Sequence, residues 1–275
     1  MAKESGSRKT VPAKKSSNLP ATHDDFFATE MTGFEGMDQA DLAQPMLKIA
    51  QKLSPQADPD NEAAIRGLKP GMFFNPSTRT VYGKDLKIII LGYFRNVIQW
   101  GEKLGEFKKA YLKNEFEKIK KDLIPDGMNF KNNEGDKFID TRNFFIFLPD
   151  FPEEGIILFP CSASAVKGAR ILSSACMTKI IPNLKKSIMY ATIWELHTGI
   201  TKNDDGSWYK FGGPKGDQIN FAGYVHEEYK ELMAVIKSSF DIAQENIRSN
   251  KINEINYSEA GEERTIDNEG DFEDF

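Results

Sequence analysis

Cysteine is scarce in this chain: Cys161 and Cys176 are the only two among 275 residues. Two thiols fifteen positions apart, without histidine neighbours, build neither a disulfide framework nor a zinc site, and they fit a reducing compartment. Only three histidines occur, His23, His197 and His226, each isolated in sequence. No run approaches the length of a membrane-spanning helix, and the N-terminus has lysines without the apolar core of a secretion signal. The expected location is the cytoplasm. Catalytic signatures are missing too: there is no P-loop, no dinucleotide fingerprint, no nucleophile elbow, no H-E-x-x-H and no C-x-x-C. Asp204 and Asp205 beside Gly206 read as a turn, and the glycines around Lys215 sit between two expected strands rather than at a helix start. The chain is therefore expected not to be an enzyme, with no catalytic residues, no metal site and no cofactor.

What is present is an uneven distribution of charge. The formal net charge is −5. The last eighteen residues, 258–275, hold eight acids against Arg264, whereas residues 1–257 hold 35 bases and 33 acids. The first twenty residues carry Lys3, Arg8, Lys9, Lys14 and Lys15 against Glu4 alone. These shifts divide the chain into a basic N-terminal arm at 1–24, one domain at 25–250 and an acidic tail at 251–275. The two ends are too polar to bury a core and are expected to be disordered. An acidic end is often only a solubilising device. This one finishes on an aromatic residue, Phe275, with which it can either imitate nucleic acid or fill a partner's pocket.

Within the domain, Gln44–Leu53 predicts a helix with Pro45 in its first turn. Leu86–Trp100 predicts the strongest strand, with Leu86, Ile88, Ile90, Phe94 and Ile98 on one face by period two. Phe107, Tyr111, Leu112, Phe116 and Ile119 predict an amphipathic helix inside a helical insertion at about 101–135. Strands follow at 140–148 and 155–159. A helix at 163–180 has Ala165, Ala169, Leu172, Cys176 and Ile180 along its buried stripe. A hairpin at 187–200 and 207–211, a strand at 219–226 and a closing helix at 227–248 complete the domain. The stripe of that last helix is Tyr229, Leu232, Met233, Ile236, Phe240, Ala243 and Ile247. The fold class is β-rich α+β: three strands, a helix, then further strands is the Greek-key order of an OB-fold-like barrel with inserted and flanking helices.

Aromatics interleaved with cations are the positive chemical signal, because single strands are held by stacking bases on rings while lysine and arginine follow the phosphates. Tyr93, Arg95, Trp100, Arg142, Trp208, Tyr209 and Lys210 fall on expected strands. Lys167 and Arg170 share a helix face. Lys185, Lys186, Lys202 and Lys215 gather around the last hairpin. Each of these rings also has a plain use in a core or a protein interface.

A β-rich body of this size without catalytic motifs, ending Asp271-Phe-Glu-Asp-Phe275, resembles bacteriophage single-stranded DNA-binding proteins of the T7 type and, more distantly, bacterial SSB. Pro45–Pro55, followed by Gly71 and Asn75, is similar to phage proteins of this class. The resemblance implies an OB-fold that coats single-stranded DNA in replication, recombination or repair. It also implies that Asp271, Phe272, Glu273, Asp274 and Phe275 form a tail that recruits a polymerase, a helicase or primase, or a recombination nuclease, and competes with DNA. The host cytoplasm, with no membrane partner, is expected, and the reading is open to both a monomer and a homo-oligomer. A non-enzymatic scaffold or virion component is the alternative reading, and a metal-dependent nuclease the third.

Overall fold

Pro45–Ala50 runs extended, not as the helix that its sequence predicts. The computed structural model describes residues 45–101, 106–127, 129–182, 184–203, 206–213, 218–255 and 257. The N-terminal arm and the tail from Ser258 onward lie outside them. Leu47 N–H donates to the Leu158 carbonyl and Leu158 N–H to that of Pro45, both at 2.8 Å, while Ala50 N–H reaches Met72 O at 2.9 Å. Met46, Leu47, Ile49 and Ala50 are all buried, in three different clusters. A segment buried on every side gains more from pairing than from presenting one helical stripe.

Strand β1 (Lys48–Ile49) pairs with β2 (Phe73–Asn75), and β2 with β3 (Thr80–Gly83), all antiparallel. The main sheet follows, nine-stranded among the described residues. Its elements in chain order are β4 (Asp85–Trp100), β5 (Phe107–Leu112), α1 (Lys113–Ile119), β6 (Ile124–Asp126), β7 (Asn129–Lys131), β8 (Lys137–Phe147), β9 (Ile156–Cys161), α2 (Ala165–Thr178), β10 (Thr192–Asn203), β11 (Gly206–Phe211) and β12 (Ile219–Tyr224). Two further helices follow, α3 (Val225–Glu228) and α4 (Met233–Arg248). β8 lies along one edge of β4, while β10 and β5 share the other edge. β9 extends the sheet beyond β8, and β11 and β12 extend it beyond β10.

In the order β9-β8-β4-β10-β11 the outer strands are furthest apart, yet the rings of Phe159 on β9 and Phe211 on β11 are 5.0 Å apart. The sheet is therefore curled, and α2 packs against its inner side with Ala169, Leu172 and Cys176. That concave face carries Ile88, Ile90, Phe144, Trp194 and Leu196. The convex face carries Ile89, Leu91, Phe94, Ile98 and Phe145, covered by Ile236 and Ala243 of α4. No helix among the described residues is long and apolar enough to cross a membrane.

Several sequence expectations need correction. The single face expected for β4 is interrupted by a bulge between Ile90 and Gly92. Leu86, Ile88 and Ile90 face the concave core, but Phe94 and Ile98 face the convex one. One extra residue reverses the alternation of everything after it. The helix expected at 107–119 is a strand up to Leu112, held on the free edge of β4, and only then a helix. Glu115 accepts from Leu112 N–H at 2.9 Å and marks that helix start. Ile180 and Met233, expected in buried stripes, are exposed. Ile180 lies beyond the end of α2, and Met233 is the first residue of α4.

Candidate nucleic-acid interface

The expected contact residues fall into separate groups. Past the bulge, β4 turns Tyr93 toward the concave face, where its ring lies 5.3 Å from that of Phe144. Arg142, one strand away on β8, donates from Nη1 to Tyr93 Oη at 3.1 Å. Its Nε is buried without a protein partner. Arg95 is committed to Asp140 at 2.5 Å, with 43% of its side chain exposed. A depression of about 120 Å³ adjoins this pair, lined by Arg95, Lys113, Phe116, Glu117, Lys120, Phe130 and Asp140 among others. Trp100 belongs to the opposite face, edge-on to Phe107 at 6.0 Å and packed on the convex core.

A second group lies where α2 meets β11. Lys167 and Arg170 are exposed on α2. Lys210 is half-buried, and that burial, with the Lys167 charge adding to it, holds its ammonium below the usual lysine range. Two cations held this close are relieved by an anion between them. Trp208 is half-buried with its indole N–H unsatisfied. Tyr209 is a packing residue: its N–H donates to Gln51 Oε1 at 2.7 Å, its carbonyl accepts from Gln51 Nε2 at 2.9 Å, and its ring covers Gly71. Lys202 is exposed near the hairpin tip. Lys215 and the tail residues Asp271, Phe272, Glu273, Asp274 and Phe275 lie outside the described residues.

Lys185 and Lys186 are exposed in the loop after α2. Beside them stand three residues that the sequence reading missed. Lys179 Nζ sits 3.5 Å from the centroid of the Phe221 ring, and Tyr224 stands edge-on to Phe221 at 5.0 Å. Tyr224 Oη donates to the Ile180 carbonyl at 3.2 Å, tying β12 to the end of α2. A signal existed: residues 155–194 contain Lys167, Arg170, Lys179, Lys185 and Lys186 and not one acid, in a chain with 41 acids.

His197 Nδ1 is 2.7 Å from Asp85 Oδ1 and its Nε2 is 2.9 Å from the Asn220 amide. Both cysteines are buried, and burial pushes the Cys176 thiol up to about 12. Among the described residues no group of three or more histidine, cysteine, aspartate or glutamate side chains is placed to hold a metal ion.

No curated protein matches the chain, and no solved structure matches it. A family model does, over residues 13–242, from inside the basic arm to the middle of α4. With well over half its length matched, the chain belongs to the family of Pam3 phage gp34-like proteins, which marks it as a phage protein.

Proposed function

We propose that this is a non-enzymatic single-stranded DNA-binding protein of phage replication, recombination or repair, built on an OB-fold-like barrel. The observation that carries the reading is the acid-free stretch 155–194, with four exposed cations on α2 and the loop after it and a fifth, Lys179, over the Phe221 ring. Such a surface offers stacking and phosphate neutralisation together. The chain order supports the barrel: β4, β8 and β9, then α2, then β10 and β11, with β4 paired to both β8 and β10. Contact between Phe159 and Phe211 brings the two ends of that strand order together. The acidic tail ending in Phe275 is the part that recruits replication proteins and competes with DNA for the cationic surface.

The test is titration of the full chain, and of a chain ending at Tyr257, with fluorescein-labelled oligothymidylate across a range of salt. Affinity falls steeply as salt rises, by the release of counterions. The shortened chain binds more tightly, most of all at low salt. Binding by neither chain in dilute buffer ends the proposal; equal affinity of the two removes only the competition by the tail. Deleting Phe275 alone spares DNA binding and weakens capture of a replication enzyme. A scaffold role is favoured by one observation, the exposed Met177, Ile180 and Leu184, and predicts no salt-dependent oligonucleotide binding at all.

A further inference from the structure

Phe221 is unusual among the phenylalanines of the described chain in being 36% exposed. It is also braced. Behind it Trp194, almost fully buried, stands edge-on at 5.8 Å and 70°, and to its side Tyr224 is fixed by the bond to the Ile180 carbonyl. A ring held in this way loses little freedom when a flat ligand settles on it. The Lys179 ammonium occupies its face at 3.5 Å. A lysine in that seat can swing off the ring to a phosphate while a base takes its place.

The surroundings extend the surface in one direction. Exposed residues of α2 follow each other as Lys167, Arg170, Ser174 and Met177, on the side away from Ala169, Leu172 and Cys176. At the residue rise of an α-helix this stripe runs about 15 Å from Lys167 to Met177, whereas Lys179, two turns after the buried Leu172, leaves the end of the helix on its sheet-facing side, over Phe221. Lys185 and Lys186 are exposed in the loop that follows, tied back by the Ile181 N–H to the Lys186 carbonyl at 3.0 Å, and Ile180 and Leu184, both more than half exposed, add apolar surface there. Its acidic border is Glu227 and Glu228 at the start of α3.

We propose that Lys179, Phe221 and Tyr224, flanked by Lys185 and Lys186, form a base-stacking platform for single-stranded DNA at the end of α2. This rests on the single-strand reading above and gives it a location at the β12 edge of the sheet, where Phe221 is paired with Trp194, rather than at Tyr93 and Arg142. A cation and an exposed ring in one contact, within a stretch that holds no acid from 155 to 194, fit a chain of nucleotides better than a compact acidic protein.

The experiment compares the parent with Phe221→Leu, which keeps apolar bulk but removes the stacking face. It also uses the triple change Lys179→Ala, Lys185→Ala and Lys186→Ala, with Lys237→Ala on α4 as a control. Binding of oligothymidylate is measured across salt, with thermal melts to show that each variant folds. The expected results are a loss of about five-fold or more for Phe221→Leu and a salt slope shallower by about 2 for the triple variant. Lys237→Ala binds as the parent does. Acetylation of Lys179, Lys185 and Lys186 is slowed by the oligonucleotide.

Parental affinity and slope in both platform variants overturn the platform while leaving the single-strand reading intact. Protection of the three lysines by a peptide of residues 258–275, and not by oligothymidylate, assigns the surface to an acidic partner and overturns it as well. A parent that binds no oligonucleotide, with or without its tail, removes the wider reading and this one together.

Discussion

Gly168 on α2 and Gly212 after β11 press against each other. A methyl group built on Gly212 would lie 2.5 Å from the Gly168 Cα, and one on Gly168 would lie 2.7 Å from the Phe211 carbonyl oxygen. Gly212 also has a φ of +65°, in the left-handed region that favours glycine. The pair lets the helix seal the side of the curled sheet where β9 and β11 approach.

Replacing Gly168 by alanine sets two effects against each other. Helix propensity gains about 1 kcal/mol. The new methyl meets backbone, which cannot rotate away, and overpacking costs about 1–3 kcal/mol. The contact is expected to win, with a lower midpoint in urea and a melting temperature reduced by a few degrees. A raised midpoint would show that α2 slides freely on β11.

Asp136 gives a pH-dependent prediction. Its carboxylate is 1% exposed and accepts from Lys108 at 2.7 Å, Gln99 at 2.6 Å and Asn132 at 3.1 Å. Burial raises its pKa, but these three donors outweigh burial and hold it below the usual aspartate value. A carboxyl depressed on folding contributes stability that is complete above its unfolded pKa and lost as pH falls through the folded one. Asp136→Asn is therefore expected to be less stable than the parent at neutral pH, by about 1.5–3 kcal/mol for a lost charge-assisted bond. The gap should close as pH drops below about 4. Denaturant melts at several pH values measure it; a gap independent of pH would show that the charge is immaterial.

Thiol chemistry checks the core. Cys161 and Cys176 are both buried on the concave side, and the Cys176 thiol stays protonated near pH 8 because burial pushes it up to about 12. A chromogenic disulfide reagent at that pH is expected to leave the native protein unlabelled and to titrate two thiols after denaturation. Rapid native labelling would mean that α2 lifts off the sheet.

Tyr257→Phe tests the lock at the far side of the sheet. The Tyr257 hydroxyl is fully buried, accepts from Asn96 Nδ2 at 3.0 Å and donates to Asn143 Oδ1 at 3.3 Å. Asn143 Nδ2 also donates to Asn96 Oδ1 at 2.8 Å, which closes the triangle. Removing the hydroxyl leaves buried amide atoms short of partners, at a cost of about 1–3 kcal/mol. Urea unfolding should show the loss, and hydrogen exchange should rise near residues 251–257. An unchanged midpoint would indicate that water replaces the hydroxyl.

The sheet was legible where one simple pattern governed a segment. Long β-branched and aromatic runs at 86–100 and 140–148 are strands, and Ala169, Leu172 and Cys176 share the buried stripe of α2. Legibility ended where tertiary pairing overrode local pattern. Phe107–Leu112 has helical spacing but fills an open edge of β4, and Met46 and Leu47 are buried on different sides. A bulge leaves no mark in composition, so the facing of Phe94 could not be read. In the candidate site the cations of α2 were found, while Phe221 and Lys179 were missed. Neither has an aromatic–cation neighbour in sequence; β12 and the end of α2 bring them together only in the fold.

Pinning Tyr257 gives the acidic end of the chain a fixed root. The eighteen residues that follow span at most about 60 Å when drawn out straight. If Phe275 captures a protein as proposed, that protein is leashed within that radius, and its local concentration is set by geometry, reaching millimolar values for a short linker. An enzyme scarce in the cell would thus meet the captured strand as though it were abundant.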